Sequence, residues 1–371
     1  MTAEAPPKRG SDEWNERMHR AGDCLRANNV AAIYLLHGTF VGDDAIGLMR
    51  LIGGLWPSAG ETLRRCEKRI ADAFVRDAGN YTASFAEQLE RDLSPSSAET
   101  PPIPVRLLNW TSENHHVGRA DGAVQLLDEL TSRSFPAGSR VVVWGHSHGG
   151  NVLALLTNLL GADVETRQRF FTAARPLVTA LLAPRRQVER WRRVEQLLAA
   201  PGNPLEHVAL DFVTFGTPIR YGWETNGYSR LLHMTYHRPI EGLPPDRARF
   251  PFSLLSARRG KRGDYIQQVG ISGTDFPTTW LHFAALVANH RLAKLLEPGL
   301  RRRGLFKRLR AGVRAADEGH VLLIDYFEAA KRLIHGALGH AIYTRQDWML
   351  YHVEQMTKRW YERRTKESTA S

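Results

Sequence analysis

Cysteine is almost absent. The 371-residue chain has two, Cys24 and Cys66, too few for a disulfide framework, and no Cys/His spacing that would hold zinc. Long apolar runs are missing as well. The stretches at 152–162 and 177–183 fall short of the ~18–20 residues that a membrane span requires. The first 28 residues are polar and hold no apolar segment of the signal-peptide kind, so the reducing cytoplasm is the expected compartment. Aromatics are scarce where the chain is most basic: Phe306 alone lies between Arg291 and Arg314. That argues against the aromatic-interleaved basic face of a nucleic-acid binder.

The hydrophobic share is 43% and the charged share 24%, ordinary for a globular protein, so disorder of the whole chain is excluded. The net charge of +11 is concentrated. Between Arg291 and Arg314 there are nine basic residues against one acid, Glu297. Residues 297–316 therefore read as a basic, exposed segment, able to rest on an anionic membrane surface.

Short, β-branched apolar runs recur at 30–36, 103–110, 140–144, 208–215, 265–271 and 320–325, with a weaker one at 231–236. Helix-spaced stretches separate them, at 119–130, 151–160, 280–296 and 345–361. This alternation predicts an α/β protein, a single domain over 1–371 with a mostly parallel central sheet and helices on both faces. Near-continuous apolar strands fit a sheet buried on both sides. Two connections are long. Residues 42–104 carry further helical patterns, with Asp43 and Asp44 placed to cap one near Ile46, and a polar loop at 94–102. Residues 162–206 form a helical insertion split near Pro184, either a cap over a cleft or extra packing.

The run at 140–144 leads into Gly145-His146-Ser147-His148-Gly149 and then a helix. G-x-S-x-G alone is weak, with on the order of 0.1 chance matches in such a chain. Between a strand and a helix it is strong. Glycines allow the sharp turn, since side chains at Gly145 and Gly149 would strike the neighbouring strand and helix. The helix points its positive end at the serine and at any developing anion. The first run ends in His37-Gly38-Thr39, so the backbone N–H groups of Thr39 and His148 are the candidate oxyanion donors.

The order strand–HG loop, strand–GHSHG–helix, strand–Phe215-Gly216-Thr217-Pro218 resembles the α/β-hydrolase superfamily, and within it the lipases and esterases. The resemblance runs from about Val30 to the last helix. It implies an α/β-hydrolase fold and a serine hydrolase acting on a small-molecule or lipid ester. No cofactor and no metal is implied. The chain order Ser, then Asp or Glu, then His follows. Two features depart from the family: the insertion at 162–206 precedes the Phe-Gly-Thr-Pro strand, and His148 replaces the usual Met, Leu or Gln.

The acid belongs at the carboxyl end of a strand. Asp275, after the run at 265–271, is the first candidate and Asp325 the second. The base belongs after the last strand. His340, among glycines, is the first candidate, with His335 and His320 behind it. His115 and His116 follow a strand and are structural or pocket-lining. His233 and His237 have metal-compatible spacing only on a helix, and their context reads as a strand. The expected activity is hydrolysis of a carboxylic ester through an acyl-enzyme on Ser147, in the cytoplasm or peripheral to the inner membrane face. A thioesterase or amidase would use the same triad, and a non-catalytic lipid-binding or scaffolding protein is the alternative of a different class.

Overall fold

The structure, a computed structural model, describes residues 1–38, 80–95, 100–179, 184–249, 263–271, 283–298, 302–327 and 337–362. Its centre is a six-stranded, all-parallel sheet. The strands are β1 (Val30–Leu36), β2 (Val105–Leu108), β3 (Arg140–His146), β4 (Ala209–Phe215), β5 (Arg230–Tyr236) and β6 (His320–Ile324), in the order β2-β1-β3-β4-β5-β6.

Burial follows the strand period of two. Val141 and Val143 of β3 and Leu210 and Phe212 of β4 face one apolar layer, whereas Val142, Trp144, Val213 and Phe215 face the other. The register runs straight across, with Tyr34 opposite Val143, Val143 opposite Phe212 and Phe212 opposite Leu231. Helices close both faces. The first layer holds residues of α3 (His116–Thr131), α4 (His148–Gly161), α5 (Val164–Val178), α6 (Arg185–Leu198) and α8 (Phe283–Leu296). The second holds residues of α1 (Asp12–Ala27), α2 (Ala83–Asp92) and α10 (Met349–Trp360). The α/β reading of the sequence is met. Among the described residues no helix is long and apolar enough to cross a membrane.

The run at 265–271 is not a strand. It forms α7 (Tyr265–Gly270), because the preceding Asp264 caps it: Gln267 N–H donates to Asp264 Oδ1 at 2.9 Å. A capping aspartate outweighs the β-branched and aromatic composition of so short a run.

The insertion forms the two anticipated helices, α5 and α6, and it is clamped to the flank of the molecule. Buried Asp121 of α3 accepts from Trp191 Nε1 (2.7 Å) and Arg190 Nη2 (3.1 Å), and Asp128 pairs with Arg193 (2.7 Å). Arg167 donates to the carbonyls of Leu159 and Leu160, which end α4. These contacts hold α6 against α3 and α5 against the end of α4.

The basic segment is only partly exposed. Lys307, Arg308 and Arg310 of α9 (Arg302–Ala311) face solvent. Arg314 and Leu309 are buried, and Glu297 is mostly buried against Arg220 at 3.0 Å.

Candidate active site

In the strand order, β1 passes to β2 on one side and β3 continues on the other, so the order reverses between β1 and β3. In open parallel sheets the ligand crevice lies at such a reversal, outside the carboxyl ends of the strands. Gly38 follows β1 there and Ser147 follows β3.

Ser147 has φ 53° and ψ −129°, a conformation that costs a non-glycine residue energy and is held only by its surroundings. Its N–H donates to Phe215 O (2.8 Å), and its carbonyl accepts from Gly150 N–H (3.0 Å) and the Thr217 hydroxyl (2.9 Å). The crowding expected of Gly149 is present, since a Cβ there would lie 2.8 Å from His37 O. A Cβ on Gly38 would lie 2.6 Å from Ser147 Cβ and 3.3 Å from its Oγ, so the loop after β1 touches the serine itself. Helix α4 begins at His148, whose N–H lies in the first turn, at the helix's positive end. Thr39, the other expected oxyanion donor, lies outside the described residues, as do Asp43 and Asp44.

His340 lies in a 3-10 turn, Ala337–Thr344, rather than an open loop. Its Nδ1 is 2.6 Å from Oδ2 of Asp264, and both side chains are fully buried. Asp264 stands at the carboxyl end of β5, where its N–H donates to the carbonyl of Tyr236, the last residue of that strand. Ser147, Asp264 and His340 thus follow β3, β5 and β6 in chain order. Ser147 Oγ and His340 Nε2 are both buried without a hydrogen-bond partner among the described residues. Buried polar atoms seldom stay unpaired without a reason, and a catalytic role is one.

Among the described residues the carboxylate beside His340 is Asp264; Asp275, the expected acid, lies outside them. Asp264 also caps α7, and Gly263-Asp264 followed three residues on by Gln267 is a helix-start signal legible in the sequence. Asp325 is engaged elsewhere, accepting from Phe327 N–H (2.9 Å) with Arg238 at 3.5 Å. His320, a lower-ranked base candidate, opens β6 at the opposite sheet edge, and His335 lies outside the described residues.

Several other described histidines are engaged in hydrogen bonds. His115 caps α3, accepting from Gly118 N–H at 3.0 Å, and His116 bonds the Tyr221 hydroxyl at 2.8 Å. His233 lies on β5 against the Thr214 hydroxyl at 2.6 Å, in a strand as its context indicated. Burial pushes it down to about 4. His148 is buried, with Nδ1 3.2 Å from Asn151 Nδ2, which also donates to Pro218 O at 3.1 Å. Among the described residues no group of three or more His, Cys, Asp or Glu could hold a metal ion.

Comparisons of the chain with protein-family models, with curated proteins and with solved structures give no match.

Proposed function

We propose that this chain is a serine hydrolase on an α/β-hydrolase fold that cleaves carboxylic esters. The observation that carries the reading is the buried Asp264–His340 pair at 2.6 Å, at the same sheet edge as a strained serine on a strand-to-helix turn. The resemblance of Gly145-His146-Ser147-His148-Gly149 and Phe215-Gly216-Thr217-Pro218 to lipases and esterases supports the ester class.

In this mechanism Ser147 Oγ attacks the ester carbonyl carbon while its proton passes to His340 Nε2. Asp264 holds Nδ1–H, which fixes the tautomer and stabilises the imidazolium without taking the proton. The tetrahedral oxyanion accepts from the His148 N–H at the start of α4 and from Thr39 N–H. The C–O bond breaks, the alcohol leaves with the proton from His340, and an acyl group stays on Ser147. Water, deprotonated by His340, then attacks the acyl carbon and releases the acid. The serine–histidine hydrogen bond that this step needs forms with substrate bound.

Covalent labelling with a fluorophosphonate probe tests the reading. Wild type takes the label, Ser147→Ala does not, and His340→Ala and Asp264→Asn react far more slowly. An unlabelled wild type that also leaves p-nitrophenyl esters intact sinks the enzyme reading in favour of a binding protein. Matched ester, thioester and anilide substrates assign the bond that is cleaved.

A further inference from the structure

The carboxylate of Asp264 has a second side-chain partner. Tyr343, one helical turn after His340, places its hydroxyl 3.1 Å from Asp264 Oδ2, the oxygen that His340 Nδ1 uses. The same hydroxyl accepts from Tyr236 N–H at 2.7 Å. With one lone pair occupied by that N–H, its single proton is directed at the carboxylate. Burial, with the charge of Asp264 adding to it, pushes the Tyr343 phenol well above its ordinary value, so the group stays a protonated donor.

The fit is tight. Gly216, at φ 57°, has no Cβ, and one built there would lie 2.5 Å from both Asp264 Oδ2 and the Tyr343 ring. Gly216 directly follows Phe215, whose carbonyl holds the Ser147 N–H. Tyr343 therefore joins the end of β5, the acid and the segment bearing the base in one rigid unit.

We infer that Tyr343 is a positioning residue that sets the basicity of His340 through the hydrogen bond from its hydroxyl to Asp264 Oδ2. The inference rests on the hydrolase reading. A donor to the charged form of a carboxylate stabilises and spreads that charge. When it is removed, a fuller negative charge faces the imidazole and the imidazolium is stabilised. The base then loses its proton only at higher pH.

Other groups face the pair and act in both variants alike. They are His146 at the tip of β3, with its ring centroid 4.5 Å from that of His340, Tyr236 at the end of β5 and Tyr265 opening α7. Arg314, after α9, is fully buried and donates to the Asp264 backbone carbonyl and to Gln267 Oε1 at 2.6 Å.

The test compares full-length wild type with Tyr343→Phe. The acidic limb of the kcat/KM profile on a p-nitrophenyl ester moves up by about one pH unit, the scale of one charge-assisted hydrogen bond. Activity on that limb falls about ten-fold and recovers at higher pH. In protein labelled with carbon-13 histidine, the resonance that His340→Ala removes titrates at correspondingly higher pH. A fluorinated tyrosine at 343, a stronger donor, moves limb and titration the other way and leaves the packing in place if Tyr343→Phe fails to fold. Limb and titration unmoved, with only a lower Tm, overturn the inference. The histidine titration needs no turnover. An inactive protein whose His340 still shifts sinks the hydrolase reading and keeps the role of Tyr343.

Discussion

The imidazoles of His146 and His340 face each other, 4.5 Å between ring centroids and 36° between planes. His146 immediately precedes Ser147, so this contact ties the strand that presents the proposed nucleophile to the turn that carries the proposed base. Tyr81 meets the His146 ring edge-on, and Tyr343 lies tilted against it. Misplacing a base by about 1 Å costs an enzyme up to ~100-fold. His146→Ala is expected to lower kcat on a p-nitrophenyl ester about ten-fold and to leave KM nearly unchanged. His146→Phe, which keeps a ring against His340, should recover most of the loss. Equal kcat in all three would remove His146 from the support of the base.

Asp264 and Asp275 are separable by one substitution each. Asp264→Asn replaces the acceptor of His340 Nδ1–H by an amide that can also donate, favouring the wrong tautomer. In a serine triad such a change costs on the order of 10⁴ in kcat. The expected loss in the rate of fluorophosphonate labelling is therefore several orders of magnitude, with Asp275→Asn within a few-fold of wild type. The reverse ranking would return the acid's role to Asp275.

The fold was legible because burial on both faces leaves a clear trace. Six of the seven apolar runs are strands, and even the weak run at 231–236 forms β5. The strand-to-helix turn at Ser147 was legible because it needs glycine for local steric reasons. Asp264 was hidden by composition: Tyr265-Ile266-Gln267-Gln268-Val269-Gly270 has the residues of a strand, whereas the aspartate in front of it caps a helix and bonds the carbonyl that ends β5. Helix α1 also escaped notice, although Trp14, Met18, Ala21 and Leu25 fall on one buried face behind the Ser11 cap. The polar residues between them masked the period. Arg314 sits in a run of charges that reads as solvated, and only the tertiary structure shows it buried against Asp264.

Three buried histidines predict how the protein fails in acid. Burial pushes His352 down to about 3 and His233 to about 4; burial and the charge of Arg314 bring His237 to about 4. All lie below the ordinary value near 6.5 that the unfolded chain recovers. On acidification the unfolded chain binds these protons first. The stabilisation is complete above about pH 6.5 and is lost as pH falls towards 4, at about 1.4 kcal/mol per pH unit for each histidine titrating. Urea midpoints measured from pH 7.5 to 4.5 should fall steeply below pH 6.5. His352→Phe, which loses the 3.0 Å bond to the Tyr326 hydroxyl, should lower the midpoint at neutral pH and flatten its decline. A midpoint flat down to pH 4.5 would contradict the burial of these neutral rings.

Asp121 decides whether the insertion at 162–206 is packing or a cap. Its buried carboxylate binds Trp191 Nε1 and Arg190 Nη2, while Trp191 is enclosed by Phe170, stacked with centroids 5.9 Å apart, and by Phe171. Asp121→Ala leaves an indole N–H and a guanidinium without their acceptor, a loss of about 2 kcal/mol. The effect should be local. Limited proteolysis should cut α6 faster, and the global Tm should fall by a few degrees. The rate of fluorophosphonate labelling at Ser147 should hold within a factor of two, because the clamp secures α6 to α3 and not to the turn bearing the serine. A many-fold change in labelling rate, in either direction, would mean that α5 and α6 control entry to the serine.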